Sequence, residues 1–226
     1  GSQLTLEGRL WLERYEAYRD ACVKANQSLF RQFFPNSGCV IMASGLGKRF
    51  GGNKLMADFH GQPMLGHTFD VTAGLFTHRV VVTRHREVAE FCRHQNLPVV
   101  LHDLPYRNDT IRLGLETLGD SLSGCMFCPG DQPLLSQETV LTMALCAAHF
   151  PELIWQLSHE GTPGTPVLFP SWSFEALRNL PQGKGGSILT KKYPEQVRFV
   201  PARDHYEWMD VDSPDDLTRL SQIRKQ

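Results

Sequence analysis

Residues 38–55 of the chain read GCVIMASGLGKRFGGNKL. The first six of these residues, up to Ala43, are apolar or small and predict a short buried strand. The strand leads into a glycine-rich loop that carries the cations Lys48, Arg49 and Lys54. Glycine lets backbone N–H groups approach a ligand closely, and successive N–H groups form a nest for anions. Because the cations add positive charge to such a nest, the segment predicts a polyphosphate-binding loop.

Two common phosphate-binding loops do not fit this segment. The P-loop of NTPases requires Lys followed by Ser or Thr after its second glycine, whereas Gly47 is followed by Lys48 and Arg49. The dinucleotide fingerprint has the spacing G-x-G-x-x-G, but here Gly51 lies one position too far from Gly47. The loop also continues to Lys54 before any helical pattern begins. A nicotinamide-binding oxidoreductase is therefore disfavoured.

The composition is that of an ordinary globular protein. The chain has 226 residues, of which 41% are hydrophobic and 21% are charged, and its formal net charge is −1. This near balance gives no sign of nucleic-acid or membrane-surface binding. No apolar run approaches the roughly 18 residues that a transmembrane helix needs. Charged residues at positions 7, 9, 13 and 14 interrupt any signal-peptide core, so we expect a cytoplasmic protein.

The six cysteines are scattered through apolar segments, as small buried hydrophobic residues are. This distribution predicts reduced thiols. Cys125 and Cys128 have the spacing of a metal or redox pair, but they lie within a predicted strand. Residues three apart on a strand face opposite sides, so a shared metal or disulfide is disfavoured.

Strand and helix patterns alternate from Gly38 onward. Strands are predicted at residues 38–43, 78–83, 97–102, 124–128, 153–157, 166–169 and 196–200, and helices at 87–95, 109–118 (with Asn108 as N-cap), 137–149, 171–180, 187–192 and 214–223. This alternation predicts an α/β fold with a mostly parallel central sheet and helices on both faces. A helical pattern over residues 4–34 ends at the breaker Pro35-Asn36-Ser37-Gly38. We therefore expect an N-terminal helical extension at residues 1–37 and one domain at residues 38–226.

Acidic residues mark the other half of the expected site. Asp131 follows the fourth predicted strand in the sequence PGDQP, where ligands bind in open α/β sheets. A carboxylate there can hold Mg²⁺ together with phosphate oxygens, or it can simply shape the turn. Asp210 and Asp212 precede the last helix and point to the same side of an extended segment. Either could be a second metal ligand, and we favour Asp212. The cationic loop and the separated aspartates together indicate phosphoryl-group chemistry.

These motifs resemble those of a known family. Ala43–Leu55 resembles the signature loop of the MobA-like nucleotidyltransferases, and Gly130–Pro133 and Asp210–Leu217 resemble the other two family motifs in the same order. Gly161–Phe169 is similar to the acceptor-side segment of molybdenum cofactor cytidylyltransferases. The resemblance covers about residues 38–222. It implies a Rossmann-like three-layer nucleotidyltransferase fold.

The resemblance also implies a role for individual residues. Nucleotide binding is implied for Met42, Ala43, Ser44, Gly45, Leu46, Gly47, Arg49, Lys54, Asp109, Thr110 and Asp131. The implied catalytic residues are Arg49, Lys54 and Asp131, with Lys54 stabilising the charge that develops on the α-phosphate. Asp131 and Asp212 are the implied ligands of Mg²⁺. The implied acceptor-binding residues are Gly164, Thr165 and Pro166.

The sequence Gly183-Lys184-Gly185-Gly186-Ser187 adds one more acceptor candidate. It is rich in glycine, carries Lys184 and precedes a predicted helix, so it could hold the phosphate of the acceptor. A plain connecting loop explains the same residues equally well. His102 and His159 lie near predicted loops, but phosphoryl transfer needs little proton chemistry from the protein. We therefore expect both to be surface histidines. Trp208 is expected to pack rather than to flank a ring system.

The implied reaction is attack by the terminal phosphate of molybdopterin on the α-phosphate of CTP, with release of pyrophosphate. The product, molybdopterin cytosine dinucleotide, is used by molybdenum hydroxylases, so such a hydroxylase is a candidate client protein. Two departures leave alternatives open. The loop reads Ala43-Ser44-Gly45 where relatives commonly carry Ala-Ala-Gly or Ala-Gly-Gly, and Arg107–Arg112 stands where typical cytidylyltransferases carry a serine-rich stretch. The alternatives are GTP, another phosphorylated acceptor, or a non-catalytic cofactor carrier or insertion partner.

Overall fold

The computed structural model describes residues 5–33, 36–47 and 49–223. Contacts between residues divide the chain into two units, residues 1–35 and 36–226. The first unit contains the helix α1 (Leu6–Phe33). The predicted helix ends at residues 4 and 34 lie outside the described residues. No helix in the described part of the chain is long and apolar enough to cross a membrane.

The second unit alternates strands and helices, as the sequence predicts. Its strands are β1 (Ser37–Ala43), β2 (Asp58–Phe59), β3 (Gln62–Pro63), β4 (His78–Thr83), β5 (Val99–Leu101), β6 (Gly124–Pro129), β7 (Ile154–His159), β8 (Thr162–Pro170) and β9 (Val197–Pro201). Its helices are α2 (Met64–Thr72), α3 (Arg86–His94), α4 (Arg107–Leu118), α5 (Gln137–His149), α6 (Phe174–Arg178), α7 (Ser187–Lys192) and α8 (Pro214–Ser221).

Seven strands form one sheet in the order β5-β4-β1-β6-β8-β7-β9. The pairs among β5, β4, β1 and β6 are parallel, β7 pairs with β9 in parallel, and β8 runs antiparallel to both of its neighbours. β7 turns directly into β8 at Glu160 and Gly161, whose φ values of 48° and 79° suit a type I′ hairpin turn. The predicted mostly parallel α/β sheet is confirmed.

The strands bury both faces because successive side chains point to opposite sides of the sheet. In β1, Cys39 and Ile41 pack with one apolar cluster that includes α2, α3, α5 and α8. Val40, between them, packs with a second cluster that includes α4, α6 and α7. The helix α4 lies close to the sheet because residue 114 is glycine, whose added Cβ would come within 2.6 Å of Val40. The result is a three-layer arrangement.

The N-terminus of α4 corrects one prediction. Asn108 is not the N-cap, because the helix already begins at Arg107. The carboxylate of Asp109 accepts a hydrogen bond from the backbone N–H of Tyr106 at 3.1 Å and so caps the first turn. The side-chain oxygen of Asn108 accepts instead from the backbone N–H of Gly183, at 2.8 Å. The Asn108 side chain, which the local pattern predicted to cap the helix, therefore makes a long-range contact with Gly183 instead.

The loop after β9 is anchored by the buried carboxylate of Glu207, which is 2% exposed. Its oxygens accept hydrogen bonds from the backbone N–H of Ser136 at 3.2 Å, the hydroxyl of Thr139 at 2.8 Å and the backbone N–H of Arg203 at 2.9 Å. Ser136 and Thr139 belong to the start of α5, where a negative charge is also favoured by the helix dipole. This carboxylate therefore joins the loop at residues 202–212 to the main domain.

We expect Glu207→Ala to lower the free energy of unfolding by about 2–3 kcal/mol, because it leaves buried donors without an acceptor. Urea denaturation followed by circular dichroism measures this change. Glu138→Ala is the matched control, since Glu138 lies exposed in the first turn of the same helix. Equal stability of the two variants would contradict the anchoring role.

Four of the cysteines, Cys39, Cys92, Cys125 and Cys128, are fully buried, and burial raises the pKa of each thiol. All six cysteines are free thiols in the structure. Cys125 and Cys128 lie within β6, and they belong to different apolar clusters on opposite faces of the sheet. Since the thiolate is the reactive form, these buried thiols are packing residues.

Candidate active site

The glycine-rich loop leaves the carboxyl end of β1 and ends in a 3₁₀ turn at Lys54–Met56. Gly47 and Gly51 have φ values of 57° and 76°, which residues with a side chain rarely adopt. A Cβ at Gly47 would also lie 2.8 Å from the carbonyl oxygen of Gly52. The glycines are thus required by a tight turn, as predicted for an anion nest. The prediction for Lys48 falls outside the described residues.

Lys54 is the centre of a cluster of opposite charges. Its ammonium Nζ lies 2.7 Å from a carboxylate oxygen of Asp131 and 3.1 Å from one of Asp212. Arg49 donates to the other oxygen of Asp212 at 2.7 Å. The Lys54 side chain is only 8% exposed. Burial acts to lower the pKa of Lys54, but the two carboxylates outweigh it and the pKa lies above its ordinary value.

The backbone explains how distant aspartates reach one lysine. Asp131 lies two residues after the end of β6, which is level with the end of β1 because Pro129 pairs with Met42. The backbone N–H of Val211 donates to the carbonyl oxygen of Asp131 at 2.9 Å, which fixes the second acidic segment beside the first. Asp212 then precedes α8, where Ser213 and Asp216 form a capping box. The predicted meeting of Lys54, Asp131 and Asp212 is observed in the geometry.

The oxygen ligands of Asp131 and Asp212 suit a hard divalent cation. Mg²⁺ is usually bound by one or two carboxylates, with water and substrate phosphate oxygens completing its shell. The described residues contain no ready group of three or more His, Cys, Asp or Glu side chains that could hold a metal. A site of two carboxylates completed by phosphate oxygens agrees with the usual ligands of Mg²⁺. It also agrees with the absence of a third ligating side chain among the described residues. The donor set therefore fits Mg²⁺ or Mn²⁺.

Asp210 occupies a different environment from Asp212. Its carboxylate accepts a hydrogen bond from the side-chain amide of Gln132 at 2.9 Å. The residue as a whole is exposed, but protein atoms surround its carboxyl group. This burial, together with the negative charge of Asp131, raises the pKa of Asp210. Gln132 is 2% exposed and also donates to the hydroxyl of Thr165 at 2.9 Å and to the carbonyl of Trp208 at 3.2 Å. Asp210 thus belongs to a packing network, whereas Asp212 contacts Lys54.

A cavity of about 300 Å³ opens beside this cluster, at the carboxyl ends of β1, β4 and β6. Its walls come from these strands, β8, the start of α4 and the segment that leads into α7. The lining residues are Met42, Ser44, Gly45, Arg84, Pro105, Tyr106, Arg107, Thr110, Ile111, Phe127, Pro129, Asp131, Gln156, Thr165, Val167, Phe169, Gly185, Gly186, Ser187 and Thr190. Such a mixture of apolar walls with a few polar groups is typical of small-molecule sites.

Part of the predicted nucleotide set lines this cavity and part does not. Met42, Ser44, Gly45, Thr110 and Asp131 line it, which leaves their predicted roles open to test. The Ala43 side chain is buried in the core, and Leu46, Gly47, Arg49 and Lys54 belong to the loop and the charge cluster. Asp109 caps α4 and lies 3.6 Å from Arg112, so helix capping already accounts for its carboxylate.

Of the residues predicted to bind the acceptor, one lines the cavity and three do not. Thr165 lines the cavity. Gly164 packs against the indole of Trp208, and its carbonyl oxygen accepts from Gln156 at 2.9 Å. Pro166 follows a cis peptide bond in β8. Lys184 is exposed and does not line the cavity.

Sequence reasoning missed Arg84 and misjudged His102. Arg84 follows β4 directly and donates from Nε to the carbonyl oxygen of Ser44 at 3.0 Å, a position that the rule of strand ends could have found. His102 is not a plain surface residue. Its Nε2 lies 3.0 Å from the Ser44 hydroxyl, which in turn donates to the carbonyl of Val82. Burial and the neighbouring Arg84 lower the pKa of His102, so the imidazole is neutral near pH 7.

His159 also differs from the expected free surface histidine. Its Nε2 lies 3.0 Å from Nδ1 of His205, and its ring stacks on Trp208 with a centroid distance of 5.6 Å. Trp208 is thus held between His159 and Gly164. The predicted packing role of the indole agrees with these contacts.

Proteins of known sequence or structure resemble this chain. A probable molybdenum cofactor guanylyltransferase from Aquifex aeolicus is 29% identical over 103 residues, which cover 46% of this chain and 50% of that relative. The chain thus spans about half the length of this curated relative. Rv0371c from Mycobacterium tuberculosis H37Rv has a similar structure, with a TM-score of 0.72 at 24% identity over 84% of this chain and 100% of that chain.

A second structure of that mycobacterial protein, in complex with manganese, has a TM-score of 0.67 at 22% identity, again over 84% of this chain and 100% of that chain. At these identities the structural similarity shows the shared fold. The MobA-like NTP transferase domain family matches residues 39–197, from within β1 to the first residue of β9. Since this match spans well over half of the sequence, the chain belongs to the MobA-like NTP transferase domain family.

Proposed function

We propose that the protein transfers a nucleotidyl group from a nucleoside triphosphate to a phosphorylated acceptor, with a divalent metal ion as cofactor. The observation that carries this proposal is the contact of the Lys54 ammonium with both Asp131 and Asp212, beside a glycine-rich loop and an open cavity. In such a cluster the ammonium can bind the phosphate groups of a triphosphate, and the carboxylates can bind its metal ion. The family match from residue 39 to residue 197 supports the same chemistry.

In the proposed reaction, a phosphate oxygen of the acceptor forms a bond to the α-phosphorus of the nucleotide. The bond from that phosphorus to the bridging oxygen of the β-phosphate breaks, and pyrophosphate leaves with the electron pair. Lys54 and Arg49 would exchange contacts with Asp212 for contacts with phosphate oxygens and stabilise their growing negative charge. Asp131 and Asp212 would hold Mg²⁺, which supplies further charge neutralisation. Positioning and electrostatics therefore account for the expected rate, without a general base.

For the substrates we propose CTP and molybdopterin, with Mg²⁺ as the metal. The segment Gly161–Phe169 favours molybdopterin and cytidylyl transfer, and β8 places its Thr165 in the cavity wall. GTP is the second candidate, because the Aquifex aeolicus relative is named a guanylyltransferase. The manganese complex of the mycobacterial protein makes Mn²⁺ an alternative metal. A molybdenum hydroxylase would be the client of the product.

Pyrophosphate release tests the proposal directly. The protein is incubated with each of the four ribonucleoside triphosphates and Mg²⁺, with and without molybdopterin. We expect release with CTP that requires molybdopterin. Release with GTP instead would replace cytidylyl by guanylyl transfer. No release from any nucleotide, combined with cofactor binding, would identify a non-catalytic carrier and overturn the proposal.

Thermal melting separates the two nucleotides without turnover. We expect CTP with Mg²⁺ to raise Tm more than GTP with Mg²⁺ does, because a ligand stabilises the folded state according to its affinity. The measurement uses differential scanning fluorimetry at equal nucleotide concentrations, with Mg²⁺ alone as the reference. Equal shifts would remove the case for cytidine.

A further inference from the structure

A pair of histidines lies where the end of β7 meets the loop after β9. Nε2 of His159 is 3.0 Å from Nδ1 of His205, and neither residue lines the cavity. Imidazole nitrogen is a preferred ligand of Zn²⁺, Ni²⁺ and related divalent transition metals, whereas Mg²⁺ prefers oxygen. The histidine pair therefore differs in its chemistry from the carboxylates of Asp131 and Asp212.

The separation of the two nitrogens suits one metal ion. Zn²⁺ binds imidazole nitrogen at about 2.0–2.1 Å, so two nitrogens on one tetrahedral ion lie about 3.3 Å apart. The observed 3.0 Å between His159 and His205 is close to this value. One of the two nitrogens carries a hydrogen that it donates to the other, because two bare lone pairs at this distance would repel each other. An ion bound by both rings would take the place of this hydrogen.

Metal binding requires that hydrogen to move to the other nitrogen of its ring. In the described part of the chain, neither Nδ1 of His159 nor Nε2 of His205 has a hydrogen-bond partner. No such contact locks either imidazole in one tautomer. Both nitrogens that face each other can therefore be free of hydrogen at the same time, as metal ligands must be.

The surrounding structure positions both rings before a metal binds. His159 is the last residue of β7, and its ring stacks on the indole of Trp208 with an angle of 25° between the two planes. The backbone N–H of Ala202 donates to the carbonyl of Ser158 at 2.7 Å, which ties the start of the loop that carries His205 to the same strand. Ligands that are already in position lose little freedom on binding.

A carboxylate next to the pair can supply a third ligand. Oε1 of Glu160 lies 4.0 Å from Nε2 of His159, and the Glu160 side chain is 86% exposed. At this distance the carboxylate is not yet a ligand, which agrees with the absence of a ready group of three such side chains among the described residues. An exposed glutamate can rotate towards a bound cation, and water can fill the remaining positions.

We propose that His159 and His205 form a binding site for a divalent transition-metal ion of the Zn²⁺ class, with Glu160 or water completing its shell. The site is separate from the charge cluster at Lys54, and the inference does not depend on the proposed function. An ion held there would link the end of β7 to the loop at residues 202–212. Because that loop leads into the charge cluster, the ion would also restrain its position.

Isothermal titration of the full chain with Zn²⁺ tests the proposal, with excess Mg²⁺ present to compete for carboxylate oxygens. We expect one Zn²⁺ to bind at the pair, and His159→Gln and His205→Gln each to weaken this binding at least about tenfold. Losing a residue that merely hydrogen-bonds to a metal ligand already costs about 10–100-fold in affinity. His149→Gln is the matched control, since His149 is exposed in the last turn of α5.

Fluorescence locates the ion. Bound Ni²⁺ quenches a nearby indole, so it should quench Trp208, whose ring centroid is 5.6 Å from that of His159. Trp208→Phe keeps an aromatic ring for stacking and should remove most of this quenching. A melting curve of each variant confirms that it is folded.

Four results would overturn the inference. They are no Zn²⁺ binding by the wild-type protein, unchanged affinity in both His159→Gln and His205→Gln, an equal loss in His149→Gln, and quenching by Ni²⁺ that survives in Trp208→Phe. A pair that serves only as a structural hydrogen bond would give the second result, with a lower Tm in His159→Gln and the same Zn²⁺ binding. An equal loss in the control would indicate scattered binding to surface histidines.

Discussion

Replacing Asp131 by Asn is expected to lower the rate of pyrophosphate release by a factor of about 10³ or more. Asparagine keeps the shape of the side chain but loses its charge and one of its two acceptor oxygens. The ammonium of Lys54, now 2.7 Å from Asp131, would lose one of its two carboxylate partners. The proposed metal site would lose one of its two protein ligands. Both losses disturb the positions of the ammonium and the metal ion, whose positive charges would neutralise the triphosphate.

The fold should survive this change, because Asp212 still contacts Lys54 at 3.1 Å. We expect a loss of stability of about 2 kcal/mol, the usual contribution of a hydrogen bond to a charged group. Rates are measured at saturating nucleotide and metal, and Tm is measured in parallel. Asp215→Asn is the matched control, since Asp215 is an exposed acid in the first turn of α8. Retention of activity in the Asp131 variant would refute the proposed metal and charge assignment.

Lys54→Met is expected to reduce pyrophosphate release by about 10²–10³ and, in the same protein, to increase the affinity for Mn²⁺ in the absence of nucleotide. Methionine has a similar length and suits a buried stem, so packing is largely retained. The variant leaves Asp131 and Asp212 facing each other without the ammonium that now contacts both. Asp131 then has no cationic partner among the described residues and Asp212 keeps only Arg49, so the two carboxylates repel each other and attract a divalent cation in place of the ammonium.

Electron paramagnetic resonance of free Mn²⁺ measures the affinity, and we expect a change of about tenfold, the equivalent of one lost charge contact. Lys191→Met serves as control, because Lys191 is exposed in the last turn of α7. If the Lys54 variant lost activity but bound Mn²⁺ no better than the wild type, the ammonium would not compete with a cation for these carboxylates. If it kept activity, Lys54 would have no part in the reaction.

Local patterns in the sequence were sufficient to predict the framework of this site. The apolar run of β1, the glycines of the following loop and the Ser213 cap of α8 each have a short-range cause, and each lies where it was expected. The convergence of Lys54, Asp131 and Asp212 could be anticipated because parallel strands end at one edge of the sheet. The choice of Asp212 over Asp210 remains a prediction for the metal.

Long-range contacts account for what the sequence could not reveal. β8 begins at Thr162 instead of Pro166, because its first residues pair with the end of β7 in the hairpin, where Ser158 faces Pro163 and His159 faces Thr162. The predicted helix at residues 171–180 is split into a 3₁₀ turn at Ser171–Ser173 and the short helix α6. The separation of Lys184 from the cavity and the presence of Arg107 in it depend on how one loop packs on a distant helix. The spacing of apolar residues along the sequence gives no information about such a contact.

Asp212 holds Arg49 and Lys54 at 2.7 and 3.1 Å in the folded chain itself. In the proposed reaction, this carboxylate would stand in for phosphate before the nucleotide binds, and the ion pairs would keep the two cations in one orientation. Long cationic side chains lose considerable rotamer freedom when they are immobilised, and here that loss is incurred during folding. Under the proposed function, nucleotide binding would only have to exchange one anion for another at a preorganised pair of cations.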